Sequence, residues 1–143
     1  MPRLVIVDTN VVVAGLLTSQ KGSPTARLLD SMLDGRLQFL LSPALLAEYQ
    51  AVLTRPKIQI AHGLSVDQID TLLTDITANA IWREPTGLNH KTPHHEAPDP
   101  NDTHLWALLD CEKNATLITG DMLLLKNAPE GRQLVKPSDY GWD

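Results

Sequence analysis

Four acidic residues stand where a carboxylate can do chemistry: Asp8, Glu48, Asp102 and Asp121. Asp8 closes the apolar run Leu4-Val5-Ile6-Val7 and is followed by Thr9-Asn10. A continuous apolar run of this length fits a strand buried on both faces, as at the centre of a parallel sheet. A carboxylate at the end of such a strand lies in the crevice where α/β sheets place their ligands. The plainer alternative is a loop aspartate capping the next helix. Residues 115–119 read as a second buried strand, and Thr119-Gly120-Asp121 again ends it on a carboxylate, with Gly120 allowing a close turn. Glu48 lies along the edge of the helical stripe Leu45, Tyr49, Val52 and Leu53. It either turns towards the core, where it needs a partner, a proton or a cation, or reaches solvent at the rim. Asp99-Pro100-Asn101-Asp102 opens a helix, with Asp99 as N-cap, Pro100 first in the helix and Asp102 at its third position. Capping accounts well for Asp99 and less well for Asp102, which looks towards the face of Leu105 and Leu109.

Right-handed crossovers put the carboxyl ends of all parallel strands on one edge. If the first strand and the strand at 115–119 are neighbours, the four acids approach one pocket. Four such charges repel by several kcal/mol at close range unless a cation joins them. All-oxygen donors suit Mg²⁺ or Mn²⁺ rather than zinc. Such ions activate water and neutralise charge on a phosphoryl group, so the implied reaction is phosphodiester hydrolysis with no side-chain nucleophile. A phospho-aspartate mechanism with Asp8 as nucleophile is the competing chemistry. Many such phosphatases carry a second aspartate two residues on, where this chain has Asn10. A third reading is a non-catalytic module that presents the pocket to RNA or a protein.

The elements that must hold these acids follow from pattern and punctuation. Residues 11–17 read as a short helix or tight loop. Ser23-Pro24 starts a helix running to about Leu33, with Gly35 as its stop. Residues 37–41 read as the second strand. Ser42-Pro43 opens the helix of Glu48, which Arg55-Pro56 closes, and residues 58–64 read as a connector. Ser65 and Gln68 form a capping box for a helix ending at Asn79, followed by a short strand at 80–82. Residues 84–98 are proline-rich and carry His90, His94 and His95 without metal-ligand spacing, so solvated loop histidines are the simpler reading. Residues 122–125 begin a short helix, and residues 134–135 read as a last strand.

At 143 residues the chain is read as one domain, large enough to fold without a disulfide or structural metal. One cysteine, Cys111, excludes an intramolecular disulfide, and its place on an apolar helix face suggests a buried, inert thiol. No signal peptide and no apolar run long enough for a membrane span stand out, which suggests a cytoplasmic protein. The formal charge is −5, which argues against non-specific nucleic-acid binding unless several acids share one metal site. The basic residues, among them Arg27, Arg55, Lys57 and Arg83, are scattered rather than clustered.

Taken in order, these pieces resemble the PIN-domain family, close to its bacterial toxin components of toxin–antitoxin systems. The resemblance rests on Val7-Asp8-Thr9-Asn10-Val11-Val12, and on Ser42-Pro43 leading to Glu48 and Leu53-Thr54-Arg55-Pro56-Lys57. It continues with Asp99-Pro100-Asn101-Asp102 and with Leu117-Ile118-Thr119-Gly120-Asp121 ahead of Leu124-Leu125. The ending Lys136-Pro137-Ser138-Asp139-Tyr140 is also similar. It implies a three-layer α/β sandwich with a central four- or five-stranded parallel sheet flanked by helices. It also implies an endoribonuclease dependent on Mg²⁺ or Mn²⁺, with Asp8, Glu48, Asp102 and Asp121 as catalytic and metal-binding residues. Asn10 and Thr119 match positions that orient the acids or a water. An RNA substrate, a small antitoxin that blocks the site and a homodimer are the partners implied. Whether Asp99 is a ligand or a cap stays open, and the loop from His90 to His95 departs from more compact relatives.

Overall fold

Residues 3–85 and 97–142 are described by the computed structural model. Its strands are β1 (Val5–Val7), β2 (Leu40–Leu41), β3 (Ile81–Trp82), β4 (Thr116–Ile118) and β5 (Gln133–Val135). Its helices are α1 (Thr9–Leu17), α2 (Pro24–Leu33), α3 (Pro43–Leu53), α4 (Pro56–His62), α5 (Val66–Asn79), α6 (Thr103–Cys111) and α7 (Met122–Lys126). The histidines of the proline-rich stretch, His90, His94 and His95, lie outside the described residues.

Among the described residues every strand pairing is parallel, in two ladders rather than the one continuous sheet expected. β1, β4 and β5 form a three-stranded ladder and β2 pairs with β3. One bridge, Val5 to Phe39, joins them, supported by the Val5 N–H donating to the Gln38 carbonyl at 3.1 Å. The running order is therefore β3-β2-β1-β4-β5. The chain moves outward from β1 to β2 and β3, then returns to the other side of β1 for β4 and β5. The carboxyl ends of β1 and β4 thus flank the point where the winding reverses, which is where open α/β sheets hold ligands. The register pairs Val7 with Ile118, so Asp8 and Thr119 are the next residues on adjacent strands.

The apolar runs make these strands because both of their faces are covered. Val5, Ile6, Val7, Phe39, Leu40, Leu41, Leu117 and Ile118 are all fully buried. α3 is tied to β1 by Tyr49, also fully buried, whose hydroxyl donates to the Val7 carbonyl. Burial and the nearby Asp8 and Glu48 charges push the Tyr49 phenol well above its usual range, so it stays a hydrogen-bond donor. α1 crosses α2 closely at Gly15, where a Cβ would sit 2.8 Å from the Thr25 carbonyl and 3.0 Å from the Leu29 Cβ.

Several local expectations change. Residues 58–64 are not a connector: Pro56 begins α4, as proline does at a first helical position. His62 holds its end, accepting the Leu64 N–H on Nδ1 and therefore donating from Nε2 to the Leu53 carbonyl, both at 2.9 Å. The second strand shrinks to Leu40–Leu41 because the Leu37 N–H is spent on the Ser31 carbonyl instead of a ladder. Pro100–Asp102 is a 3₁₀ turn, and the α-helix starts at Thr103. Gly120 has no left-handed backbone, and a Cβ there would meet the Asn10 side chain at an ordinary 3.4 Å. Cys111, the last residue of α6, is half-buried rather than buried, and burial raises its thiol pKa. Among the described residues, no helix is long and apolar enough to cross a membrane.

Candidate functional site

Asp8 is both things the sequence left open: a helix cap and a buried acid at a strand end. It is 4% exposed. One carboxylate oxygen accepts the Thr9 N–H at 2.8 Å, capping α1. The other accepts the Thr119 hydroxyl at 2.8 Å and the Asn10 amide at 3.1 Å. Burial raises its pKa, and the bonds from Thr119 and Thr9 oppose that rise.

Thr119 and Asn10 link the two strand ends. The fully buried Thr119 hydroxyl donates to Asp8 and accepts the Asp121 N–H at 3.0 Å. The Asn10 carbonyl accepts the Gly120 N–H at 2.9 Å, while its amide holds Asp8. Asp121 follows from β4, half-buried, and caps α7 by accepting the Leu123 N–H at 2.9 Å. Asp8 is thus fixed by a backbone donor and by Thr119 and Asn10, and the Asp121 carboxylate by the Leu123 N–H.

Glu48 reaches the same cleft from the second turn of α3. It sits at the rim, with its side chain 24% exposed. One oxygen accepts the Thr9 hydroxyl, and the other faces the His104 Nε2 at 3.2 Å. His104, first among the causes, holds the Glu48 pKa below its usual value, and Thr9 and Arg55 act in the same direction. Asp102, at the end of the 3₁₀ turn, differs from the others. Its carboxylate makes no hydrogen bond among the described residues. Burial, followed by Asp8, Glu48, Asp99 and Asp121, pushes its pKa up to about 6. Asp99 is exposed and accepts the Asn101 N–H at 3.0 Å, so it is a cap that also adds its charge.

All five acids line one open cleft of about 510 Å³, together with Thr9, Asn10 and Arg55. A groove of similar volume between α3 and α5, lined by Leu46, Leu73 and Thr77, holds one acid, Asp70. The chemistry-bearing groups therefore converge on the first. Among the described residues, no three His, Cys, Asp or Glu side chains are drawn tightly enough to hold a metal ion as they stand. Asp8 and Glu48 instead spend their oxygens on Thr9, Thr119, Asn10 and His104. The donor set still fits a hard divalent cation: every candidate donor is a carboxylate oxygen, and burial and the neighbouring carboxylates oppose the ionisation of Asp102.

Two residues of the site escape the sequence. Thr9 and His104 both fasten Glu48, yet they lie 39 and 56 positions from it. Nothing in local spacing signals that link. His104 follows Asp102 by two residues on α6, and its Nδ1 is buried without a partner among the described residues.

A parallel α/β fold with an acid cleft at the reversal of its winding defines a class of proteins that act on ligands at the strand ends. Residues 4–123 match the PIN domain, and the chain belongs to this family. PIN domains are generally a nuclease fold and use divalent metals. No curated protein matches the chain.

Proposed function

We propose that this chain is a Mg²⁺- or Mn²⁺-dependent endoribonuclease that hydrolyses RNA phosphodiester bonds, acting as the toxin of a toxin–antitoxin pair. The observation that carries this reading is Asp102: a half-buried acid without a hydrogen-bond partner among the described residues, raised to about 6 by burial and then by the carboxylates that line the same cleft. Such an arrangement is stable with a cation among the acids and costly without one.

Asp8, Glu48, Asp102 and Asp121 are the residues that would hold the ion. When bound, a divalent ion supplies water activation and charge neutralisation at the phosphate. The protein's part is to fix the acids. Thr119 and Asn10 hold Asp8 in one rotamer, and Thr9 and His104 hold Glu48. Asp102, with no hydrogen bond among the described residues, is the acid whose oxygens stay open towards the cleft. The proposal extends to a homodimer and to a small antitoxin protein that covers the cleft.

Cleavage of structured and single-stranded RNA by the purified protein, with Mg²⁺, Mn²⁺ or EDTA, tests the reading beside Asp8→Asn and Asp121→Asn. Metal-dependent cutting that falls at least about a hundredfold in both variants is expected, in line with the loss of a charge-stabilising group. Cutting that survives both variants would sink the assignment of the site. A protein that binds RNA and never cuts it is the binding module instead.

A further inference from the structure

The acid cleft has a second half that the metal chemistry does not use. Beyond the carboxylates its wall is formed by Val13, Ala14, Leu17 and Val52, and Arg55 stands at its rim. Arg55 is the one Lys or Arg among the described residues lining this cleft. Its guanidinium forms no ion pair or hydrogen bond with the described residues, unlike Arg36, Arg83 and Arg132, each of which pairs with an acid. Yet it lies close enough to Glu48 to favour that carboxylate's charged form. An arginine beside several acids that pairs with none of them has its donors available to a ligand.

The chemistry of that ligand follows from the charges. A chain of formal charge −5 with an acid-lined site repels a polyanion at long range. Away from any ion held by the acids, a short-range cation beside the cleft offsets that repulsion for a neighbouring phosphate. Guanidinium suits this role because its planar fork matches two phosphate oxygens at once. The neighbouring wall is apolar, and Leu17 is 41% exposed, leaving surface that a sugar or base edge can cover.

We propose that Arg55 grips a backbone phosphate of the nucleic acid flanking the one that is cut, with Val13, Leu17 and Val52 receiving the adjoining nucleoside. This rests on the nuclease reading and adds a binding subsite to it.

The test is the affinity of wild type, Arg55→Ala and Arg55→Lys for a short labelled RNA of mixed sequence in EDTA, over a range of salt. Arg55→Ala should bind about tenfold more weakly, the size of one charge-assisted contact. Its slope of log affinity against log salt should fall by about 0.7, as for one phosphate of a single strand. Arg55→Lys should keep most of that slope. With Mg²⁺, Arg55→Ala should raise KM about tenfold while kcat stays within about twofold, as for lost binding that is equal in ground and transition states. Arg55 is exposed, so unchanged thermal unfolding of the variant is expected and guards against misfolding. Wild-type affinity, slope and KM in Arg55→Ala would overturn the subsite and leave the nuclease standing. A wild-type protein that neither binds nor cuts RNA removes both readings together.

Discussion

Asp102 holds its proton to about pH 6 because burial and the surrounding carboxylates oppose its ionisation. Its ordinary value is 3.8, so the folded state binds this proton more tightly than the unfolded chain does. The stability linked to it is present below about pH 4 and is lost as pH rises towards 6. Asp102→Asn should therefore be more stable than wild type in metal-free buffer near pH 7.5, by about 1 kcal/mol after discounting for its partial exposure. Near pH 4, where wild-type Asp102 is itself neutral, the gap should close. Denaturant unfolding at both pH values measures it, and a gap that ignores pH would mean Asp102 does not sit among charged acids. Glu48, by contrast, is drawn down because His104 and Thr9 offer it donors. At this scale the strand-end acids Asp8 and Asp121 were legible, since an apolar run that stops on a carboxylate is a local signal. The clamp of Thr9 and His104 on Glu48 was not, because it joins three distant stretches of chain.

Among the elements, α1 and α2 depend on one glycine. Alanine at position 15 gains helix propensity of about 1 kcal/mol. It also drives a Cβ to 2.8 Å from the backbone oxygen of Thr25, which cannot swing aside as a side chain would. Overpacking costs about 1–3 kcal/mol, so Gly15→Ala should lower the Tm by several degrees. A Tm equal to or above wild type would show that α1 lifts off α2 freely. The same pair carries Thr9 and Asn10 into the cleft, so their spacing matters to the site. Helices with a buried stripe, such as α5 with Ile69, Leu73 and Ile76, were readable from that stripe and their caps. α4 has no buried residue, and Ile60 is 82% exposed. No apolar face marked it, so Arg55-Pro56 read only as a stop.

For the whole molecule, the strand order decides where the acids meet. β1 and β4 lie side by side, and this alone brings residues 8 and 121 together across more than a hundred residues of chain. A ligand that binds only the folded cleft stabilises the fold by mass action. Mn²⁺ at about a hundredfold excess over its Kd should add roughly 2.7 kcal/mol, a Tm rise of roughly 5–10 °C for a chain of this size. The rise should vanish in Asp8→Asn. No rise in wild type, read by scanning calorimetry against an EDTA control, would remove the metal from the cleft.

Sequence alone determined the kinds of group available and the elements that bear them. Apolar runs ending on Asp8 and Asp121, the Ser-Pro helix starts and the Ser65–Gln68 capping box are short-range features, set by sterics and hydrogen bonding within a few residues. Only the tertiary structure decided the neighbours. It set the two ladders joined at Val5 and Phe39, and it bound Glu48 to Thr9 and His104. It stood Arg55 beside the acid cleft without an ion pair among the described residues, and it made Asp102 the carboxyl whose ionisation is delayed to about pH 6. Those outcomes depend on distances between residues far apart in the chain, and charges interact through distance rather than through sequence position.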